Sequence, residues 1–401
     1  MIGVRIIHLG EIARFRYGKM PETEKILVDD ATGGFPIFTG YRIAGRYSEF
    51  NIETPKLIVV CRGVGGTGDV KITPAKCWLT NLSIVFELVE EFADIHYLYY
   101  FFAAYSLRFL DTGSAQSQIT ITDLQRLKIP LPNLITQKKI AAILSAYDEL
   151  IENNQRRIAL LEKMAEEIYR EWFVRMRFPD HEKVKKVKGV PEDWCVAELK
   201  ELASINPSSI NRQGNPESIL YVDISSVSTN RIDDVTPYIS ANAPGRARRR
   251  VKHGDVIWSS VRPANRAYCL IYEPPENLIV STGFAVIRPN SATPFTFLFF
   301  AVTSNPFVDQ MTTVAKGAAY PATSFDDFEK AKLLVPTEDL LRAFHEKIEP
   351  MFRQRHFLQQ QSERLRKTRD MLLPRLISGK LSVEHLDIQF PPGMEESAHA
   401  N

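Results

Sequence analysis

The absences in this 401-residue chain narrow its function first. No apolar run approaches the roughly 18 residues of a membrane-spanning helix, so no membrane partner is expected. The opening residues, Met1-Ile2-Gly3-Val4-Arg5, show none of the basic segment, apolar core and cleavage site of a secretory signal. The four cysteines, Cys61, Cys77, Cys195 and Cys269, have neither CxxC spacing nor a histidine at metal-ligand spacing, which leads us to expect reduced thiols in a cytoplasmic protein and no metal site. Charge of one sign is scarce as well. With 50 Lys+Arg against 48 Asp+Glu, the net charge of +2 excludes a uniformly basic nucleic-acid binder.

Catalytic machinery is equally thin. Gly63-Val64-Gly65-Gly66-Thr67-Gly68-Asp69 has the end glycines of a phosphate loop, but Asp69 stands where lysine is required. Asn206-Pro207-Ser208 and Asn305-Pro306-Phe307 both fall short of the Asn/Asp-Pro-Pro-aromatic loop of an adenine methyltransferase. No glycine-rich turn after a first strand points to a methyl-donor site. The eight histidines are scattered and support no hydrolase triad.

What the chain does contain is a repeat. Glu11-Ile12-Ala13 returns as Glu201-Leu202-Ala203, and Lys56–Arg62 returns near Gly254–Arg262. Thr80–Phe86 is answered by Ser281–Ile287, Gly113-Ser114-Ala115 by Gly317-Ala318-Ala319, and Ile129-Pro130 by Val335-Pro336. Two copies are too few for a solenoid and fit pseudo-twofold symmetry, the shape needed to read a target made of two halves. Pro179-Asp180 with Glu198-Leu199-Lys200 has the acid and lysine layout of metal-dependent nucleases, yet the first copy has no equivalent acids.

Each copy ends in a long heptad pattern. In the first, Ile140, Tyr147, Asn154, Leu161 and Ile168 form one row, and Leu144, Ile151, Ile158, Ala165 and Trp172 the other. In the second, Phe344, Met351, Leu358, Leu365 and Leu372 form one row, and Ile348, Arg355, Ser362, Arg369 and Leu376 a more polar one. A long helix with one apolar stripe needs a partner stripe, and the two copies supply each other with one. Arg355 and Ser362 are expected to pair around Asn154 and fix the register. The expected fold class is α/β (α+β): two similar mixed α/β domains separated by two long antiparallel helices that form a coiled-coil spacer. The boundaries are residues 1–135 for the first head, 136–177 for the first helix, 178–195 for a mobile Lys-rich linker, 196–336 for the second head, 337–380 for the second helix and 381–401 for a flexible tail.

Strands are expected at 36–39, 56–61 and 83–87 in the first head, and at 218–223, 255–260, 267–271 and 284–288 in the second. Aromatic helices are expected over 95–110 and 294–310, with the ring-rich run His96–Phe102 packed in a core. Contact residues are expected on loops. In the first head these are Arg62, Gly65, Thr67, Gln116 and Gln118; in the second, Ser260, Arg262, Asn265, Arg266, Lys316 and Tyr320. Arg62 and Arg262 are read as corresponding arginines after corresponding strands. Arginine suits bidentate reading of guanine, and Asn or Gln that of adenine. Arg246, Arg248, Arg249, Arg250 and Lys252 form a local basic run able to neutralise phosphates.

The segment Asp148–Glu162, continuing to Tyr169-Arg170-Glu171-Trp172-Phe173, resembles the central helix of specificity subunits from type I restriction-modification systems. Leu372–Leu381 resembles the end of their second conserved helix, and Ile129-Pro130-Leu131-Pro132 and Val335-Pro336 stand where that family joins a recognition domain to its helix. The likeness spans essentially the whole chain. It implies a subunit without catalysis of its own, whose two target-recognition domains each read half of a bipartite, asymmetric double-stranded DNA site while the helices act as a ruler. It further implies two modification subunits docked on the helices and restriction/translocase subunits beyond them. S-adenosylmethionine, ATP and Mg would sit on those partners in a prokaryotic cytoplasm. A methylation-only or phage-defence complex, or a two-headed protein scaffold that does not touch DNA, are the alternatives; the basic run speaks against the scaffold.

Overall fold

The computed structural model describes residues 4–27, 33–63, 66–111, 118–210, 216–317 and 321–390. They form two compact units: the described residues within 1–154 and 361–401, and those within 155–360. Each unit holds one head, the start of that head's own long helix and the end of the other.

In the first head the central strand Leu57–Val60 is buried along its whole length, as a β-branched run covered on both faces should be. It lies between Ser83–Leu88 and Val70–Ile72, and Ala13–Tyr17 completes an antiparallel sheet of four. The helix Ile95–Ala104 buries Tyr97, Leu98, Tyr100, Phe101 and Phe102 in this core. A second, smaller sheet runs Ile26–Leu27, Ile43–Tyr47, Phe35–Phe38, Trp78–Leu79, the last pair being parallel. A two-stranded ribbon, Arg5–His8 with Lys128–Leu131, leads into the long helix.

The second head repeats this plan. Its main sheet is Ala203–Ile205, Phe284–Pro289, Val256–Ser259 and Tyr268–Leu270, and its ribbon pairs Cys195–Glu198 with Lys332–Val335. Its small sheet runs Thr236–Ile239, Ser218–Val222, Leu278–Ser281, Ala247–Arg250, again with one parallel pair. The small sheets differ at their edges. The arginine strand Ala247–Arg250 is reduced in the first head to a single antiparallel bridge, Ile52 with Cys77, while that head adds an edge strand, Ile26–Leu27, on the opposite side.

The long helices span Leu134–Tyr169 and Glu338–Ile377, 36 and 40 residues, or about 54 and 60 Å. The first ends in a π-turn, Arg170–Val174. Within each unit they run antiparallel. In the first unit Ile140 and Leu144 share a core with Leu372 and Leu376, Asp148 pairs with Arg369, and Asn154 Nδ2 donates to Gln361 Oε1 at 3.0 Å. In the second, Trp172 and Phe173 pack on Phe344, and Arg355 pairs with Glu162 at 3.5 Å. Ile151, Ile348 and Leu358 are also buried, while Tyr147, Ile158, Leu161, Ile168, Met351 and Leu365 are half-buried along the same seam. Arg355 therefore finds a glutamate rather than Asn154.

Three expectations need correction. The helix expected over 294–310 is two, Phe295–Thr303 and Asn305–Val314. Pro306 lacks the N–H an interior position requires, and the Ser304 hydroxyl caps the new start by accepting from Phe307 N. The linker is folded: Phe178 and Trp194 are buried 5.6 Å apart in the second unit's core, and Lys186–Val187 pairs with Val190–Pro191. Its two-residue turn, Lys188-Gly189, has both residues at positive φ, as a tight hairpin demands. The tail is anchored as far as it is described, since Val383 is buried and Lys139 Nζ donates to the carbonyls of Glu384 and Leu386; residues 391–401 lie outside the described residues.

One cross-strand ion pair occurs in both heads with its polarity reversed. Lys56 faces Glu87 at 3.1 Å in the first, and Asp255 faces Arg288 at 2.6 Å in the second. Asp255 is fully buried, whereas Lys56 and Glu87 remain about one-third exposed. Removing one partner of a buried pair leaves an uncompensated charge, whereas an exposed pair contributes little. Arg288→Ala is expected to cost about 3 kcal/mol in urea unfolding, and Lys56→Ala less than about 1 kcal/mol. Equal costs would show that burial does not decide the difference.

Candidate nucleic-acid interface

In each head the loop after the central strand is tied to a second loop by backbone hydrogen bonds. Ile119 N donates to Cys61 O at 3.0 Å in the first head, and Thr323 N to Ser260 O at 2.9 Å in the second. Next along, Arg62 bridges Gln118, and Val261 bridges Ala322. This register makes Cys61 equivalent to Ser260 and Arg62 equivalent to Val261, so Arg62 and Arg262 are not counterparts. Arg262 stands where the first head has Gly63.

That one-residue difference has a backbone consequence. Gly63 and Gly68 have φ of 125° and 94°, values that glycine adopts without strain. Arg262 and Arg266, at the matching corners, have φ of 50° and 53°. A side chain in that region costs on the order of 1 kcal/mol or more, so the second head carries strain where the first avoids it. A Cβ on Gly68 would lie 2.6 Å from Arg108 N, so that corner of the first head has no room for one.

The expected contact residues sort by exposure. In the first head Arg62 is exposed, its guanidinium 5.6 Å above the Tyr17 ring, and its carbonyl accepts from Tyr41 Oη. Thr67 is buried and donates to Gly63 O, which makes it a brace for the loop rather than a reader. Gln118 holds its place through its backbone N–H on Asp111 Oδ1. Gly65, Gln116 and Tyr320 lie outside the described residues.

In the second head Arg262, Asn265 and Lys316 are exposed, while the Ser260 hydroxyl turns inward to Gly283 O. Arg266 is half-buried beside Tyr268, in a groove bordered by Asn230 and Arg170. Along the basic run Arg246, Arg250 and Lys252 are exposed, and Arg248 donates from Nε to Gly245 O. Arg249 points the other way, its guanidinium 5.2 Å over the Phe325 ring and Nη1 on Ser209 Oγ. Burial lowers its pKa from the ordinary value, but a guanidinium stays charged at neutral pH. Tyr17 and Phe325, the rings beneath Arg62 and Arg249, were not singled out by the sequence; alternation along a strand at 247–250, which was not expected, is the signal that would have turned one cation inward.

Burial pushes the Cys61, Cys77 and Cys269 thiols up to about 11, so they are neutral near pH 7. Asp180 pairs with Lys183, and Glu198 with Lys200, so these acids and lysines are engaged in local ion pairs.

Residues 1–163 match the type I restriction modification DNA specificity domain. The MjaIX specificity subunit of a type I restriction enzyme from Methanocaldococcus jannaschii is 26% identical over 324 residues, covering 72% of this chain and 70% of its own. The MjaVIII specificity subunit from the same organism is 23% identical over 408 residues, covering 95% and 94%. The chain is thus similar to type I specificity subunits along nearly its whole length. A crystal structure of the S subunit from an M. genitalium type I restriction-modification system shares the fold of this chain, with a TM-score of 0.67 at 20% identity over 94% of this chain and 96% of that one. No described helix is long and apolar enough to cross a membrane.

Within the basic run, Arg249→Ala is expected to lower stability by about 1–2 kcal/mol, the worth of a partly desolvated cation–π contact. Arg250→Ala should stay within about 0.5 kcal/mol. Urea titration of both variants checks this, and equal effects would remove the distinction.

Proposed function

We propose that this specificity subunit reads double-stranded DNA for a type I restriction-modification complex, each head reading one half of a bipartite, asymmetric site. The observation that carries this reading is one scaffold built twice with different contact elements. The paired loops recur in both heads, but the edge that the second builds as an arginine strand is a single bridge, Ile52 with Cys77, in the first, and the second loop bears Arg262 and Asn265 where the first has Arg62 and glycines. Two similar but unequal readers suit two unequal half-sites. The exposed cations Arg246, Arg250 and Lys252 position the phosphate backbone, while Arg62, Arg262 and Asn265 face base edges.

The subunit contributes geometry and not catalysis. Methyl transfer with S-adenosylmethionine falls to two modification subunits, and ATP- and Mg-dependent translocation and cleavage to restriction subunits, all in a prokaryotic cytoplasm. Docking on the long helices is supported by apolar side chains that the helix pair leaves exposed: Leu150 and Met371 in one unit, and Leu160, Met164 and Phe357 in the other. Burying such side chains is worth about 1.5–3 kcal/mol each, which a partner helix can supply. The helix pair sets the gap between the half-sites.

Arg250→Ala with Lys252→Ala is expected to weaken binding of the complex to all duplexes alike. The slope of log affinity against log salt should shrink by about one for every phosphate that the variant no longer neutralises. An unchanged slope would reject phosphate binding there. A heptad inserted after Leu161, with a matching one before Arg355, keeps the seam in phase and adds about 10 Å of helix. Methylation mapping should then find a gap longer by about three base pairs; the original gap would reject the ruler.

A further inference from the structure

Two kinds of contact element in the second head stand on different sheets. The exposed cations Arg246 and Arg250 lie at the two ends of the edge strand Ala247–Arg250 of the small sheet, whereas Arg262 and Asn265 lie on the loop that follows Val256–Ser259 of the main sheet. At the start of the edge strand the two are tied through backbone, since Thr282 N donates to Arg246 O at 2.9 Å and Ser260 N to Gly283 O at 3.0 Å. Three residues further on, the tie is a side chain. Arg249 places its guanidinium 5.2 Å over the Phe325 ring, with Nη1 on Ser209 Oγ at 3.3 Å. Phe325 opens the short helix that Ser324 and Asp327 cap reciprocally. The residues just before that helix hold the reading loop. Thr323 N donates to Ser260 O at 2.9 Å, Val261 bridges Ala322, and Pro321 O accepts from Arg262 N at 2.7 Å. A short run of contacts thus joins Arg249 to the loop.

We infer that Arg249 is a positioning residue for the second half-site: it touches no DNA, and it locks the phosphate-facing strand at a fixed angle to the base-facing loop. A strand tied at one point can turn about it, and a second tie removes that freedom. Discrimination needs this, because side chains must meet base edges within about 0.5 Å while phosphate contacts set the register. Arginine suits the task, since one planar group stacks on the ring and still donates from its edge. The first head has no such tie. Ile121 stands where the second head has Phe325, each following its helix cap, and the single bridge of Ile52 with Cys77 replaces the strand. This inference rests on the DNA-recognition reading above and adds to it how the second head aligns its two sets of contacts.

The test uses the full chain coexpressed with its modification subunits, and duplexes carrying the bipartite site found by methylation mapping or that site with one half altered. Arg249→Met keeps the length of the side chain but loses its charge and donors. Phe325→Leu removes the ring and leaves the arginine. Binding is measured below the thermal midpoint of each variant. Both variants are expected to lose about tenfold in discrimination at the second half-site, as a coupling the size of a cation–π contact would give. Discrimination at the first half-site and the slope of log affinity against log salt should stay at the parent's values. The double variant should lose no more than either single one, because both break the same contact. A slope smaller by about one in Arg249→Met would make Arg249 a phosphate contact and overturn the inference. Lower midpoints with discrimination intact would leave the arginine a structural part, and equal losses at both half-sites would indicate general loosening; either result overturns it. Should Arg249→Met fail to assemble, Phe325→Leu decides by the same readouts. If the parent methylates no bipartite site, the recognition reading fails, and this inference with it.

Discussion

The carbonyls of Cys61 and Ser260 each accept a hydrogen bond from a residue far along the chain, and the contact loops of each head are placed from that point. The central strand ends there, so the loop beyond it would be unanchored if its only link were the chain itself. The bonds from Ile119 and Thr323 close it against a second loop, which in turn starts a short helix with a reciprocal cap, Thr120 with Asp123 and Ser324 with Asp327. Strand, loop, loop and helix thus form one closed path in both heads. Only the side chains on the loops vary, and rigid elements carrying variable contacts are what a recognition domain requires.

The long helices answer a different constraint. A single apolar stripe on 36 or 40 residues cannot be left in water. Each stripe is buried against the other helix and, near its start, against its own head: Ile140 and Leu144 join the first core, Phe344 and Ile348 the second. Polar seam residues are satisfied in place. Tyr100 donates to Asp148, which also pairs with Arg369, and Arg355 lies over the Phe352 ring while pairing with Glu162. These pairs weaken the seam relative to leucine, but they form in one register only.

Much of this was legible in the residues, because it rests on periodicity and order. The heptads, the antiparallel pairing, the central strands and the buried aromatic helix follow from spacing that any head of this size must respect. The ribbons at residues 5–8 and 195–198 are invisible at that level, since two-stranded pieces of four residues carry almost no periodic signal. The linker misleads through its lysines; Phe178 and Trp194, not the charges, decide where it lies. At the candidate site the loops can be located from the residues, but their register comes out one position off. Sequence matching aligns arginine with arginine, whereas hydrogen bonding aligns Arg62 with Val261. Side-chain direction is hidden too, because nothing in a run of arginines says that Arg249 lies on Phe325.

Duplication brings a hazard that the reversed ion pairs bear on. Two copies of one sheet in one chain offer each central strand two similar neighbours, its own and that of the other copy. With Lys56 opposite Glu87 and Asp255 opposite Arg288, the correct partners attract. An exchange of neighbours would set Lys56 beside Arg288 and Asp255 beside Glu87, like against like at directly facing positions, where repulsion replaces attraction. For Asp255 the penalty would be greatest, because it is fully buried and would lose the cation that balances it. Packing distinguishes the strands too, since Val256–Ser259 carries the buried Trp258 where Leu57–Val60 has Val59. The reversed charges act in the same sense as this packing difference, so the heads can diverge in their loops while each scaffold favours its own neighbours.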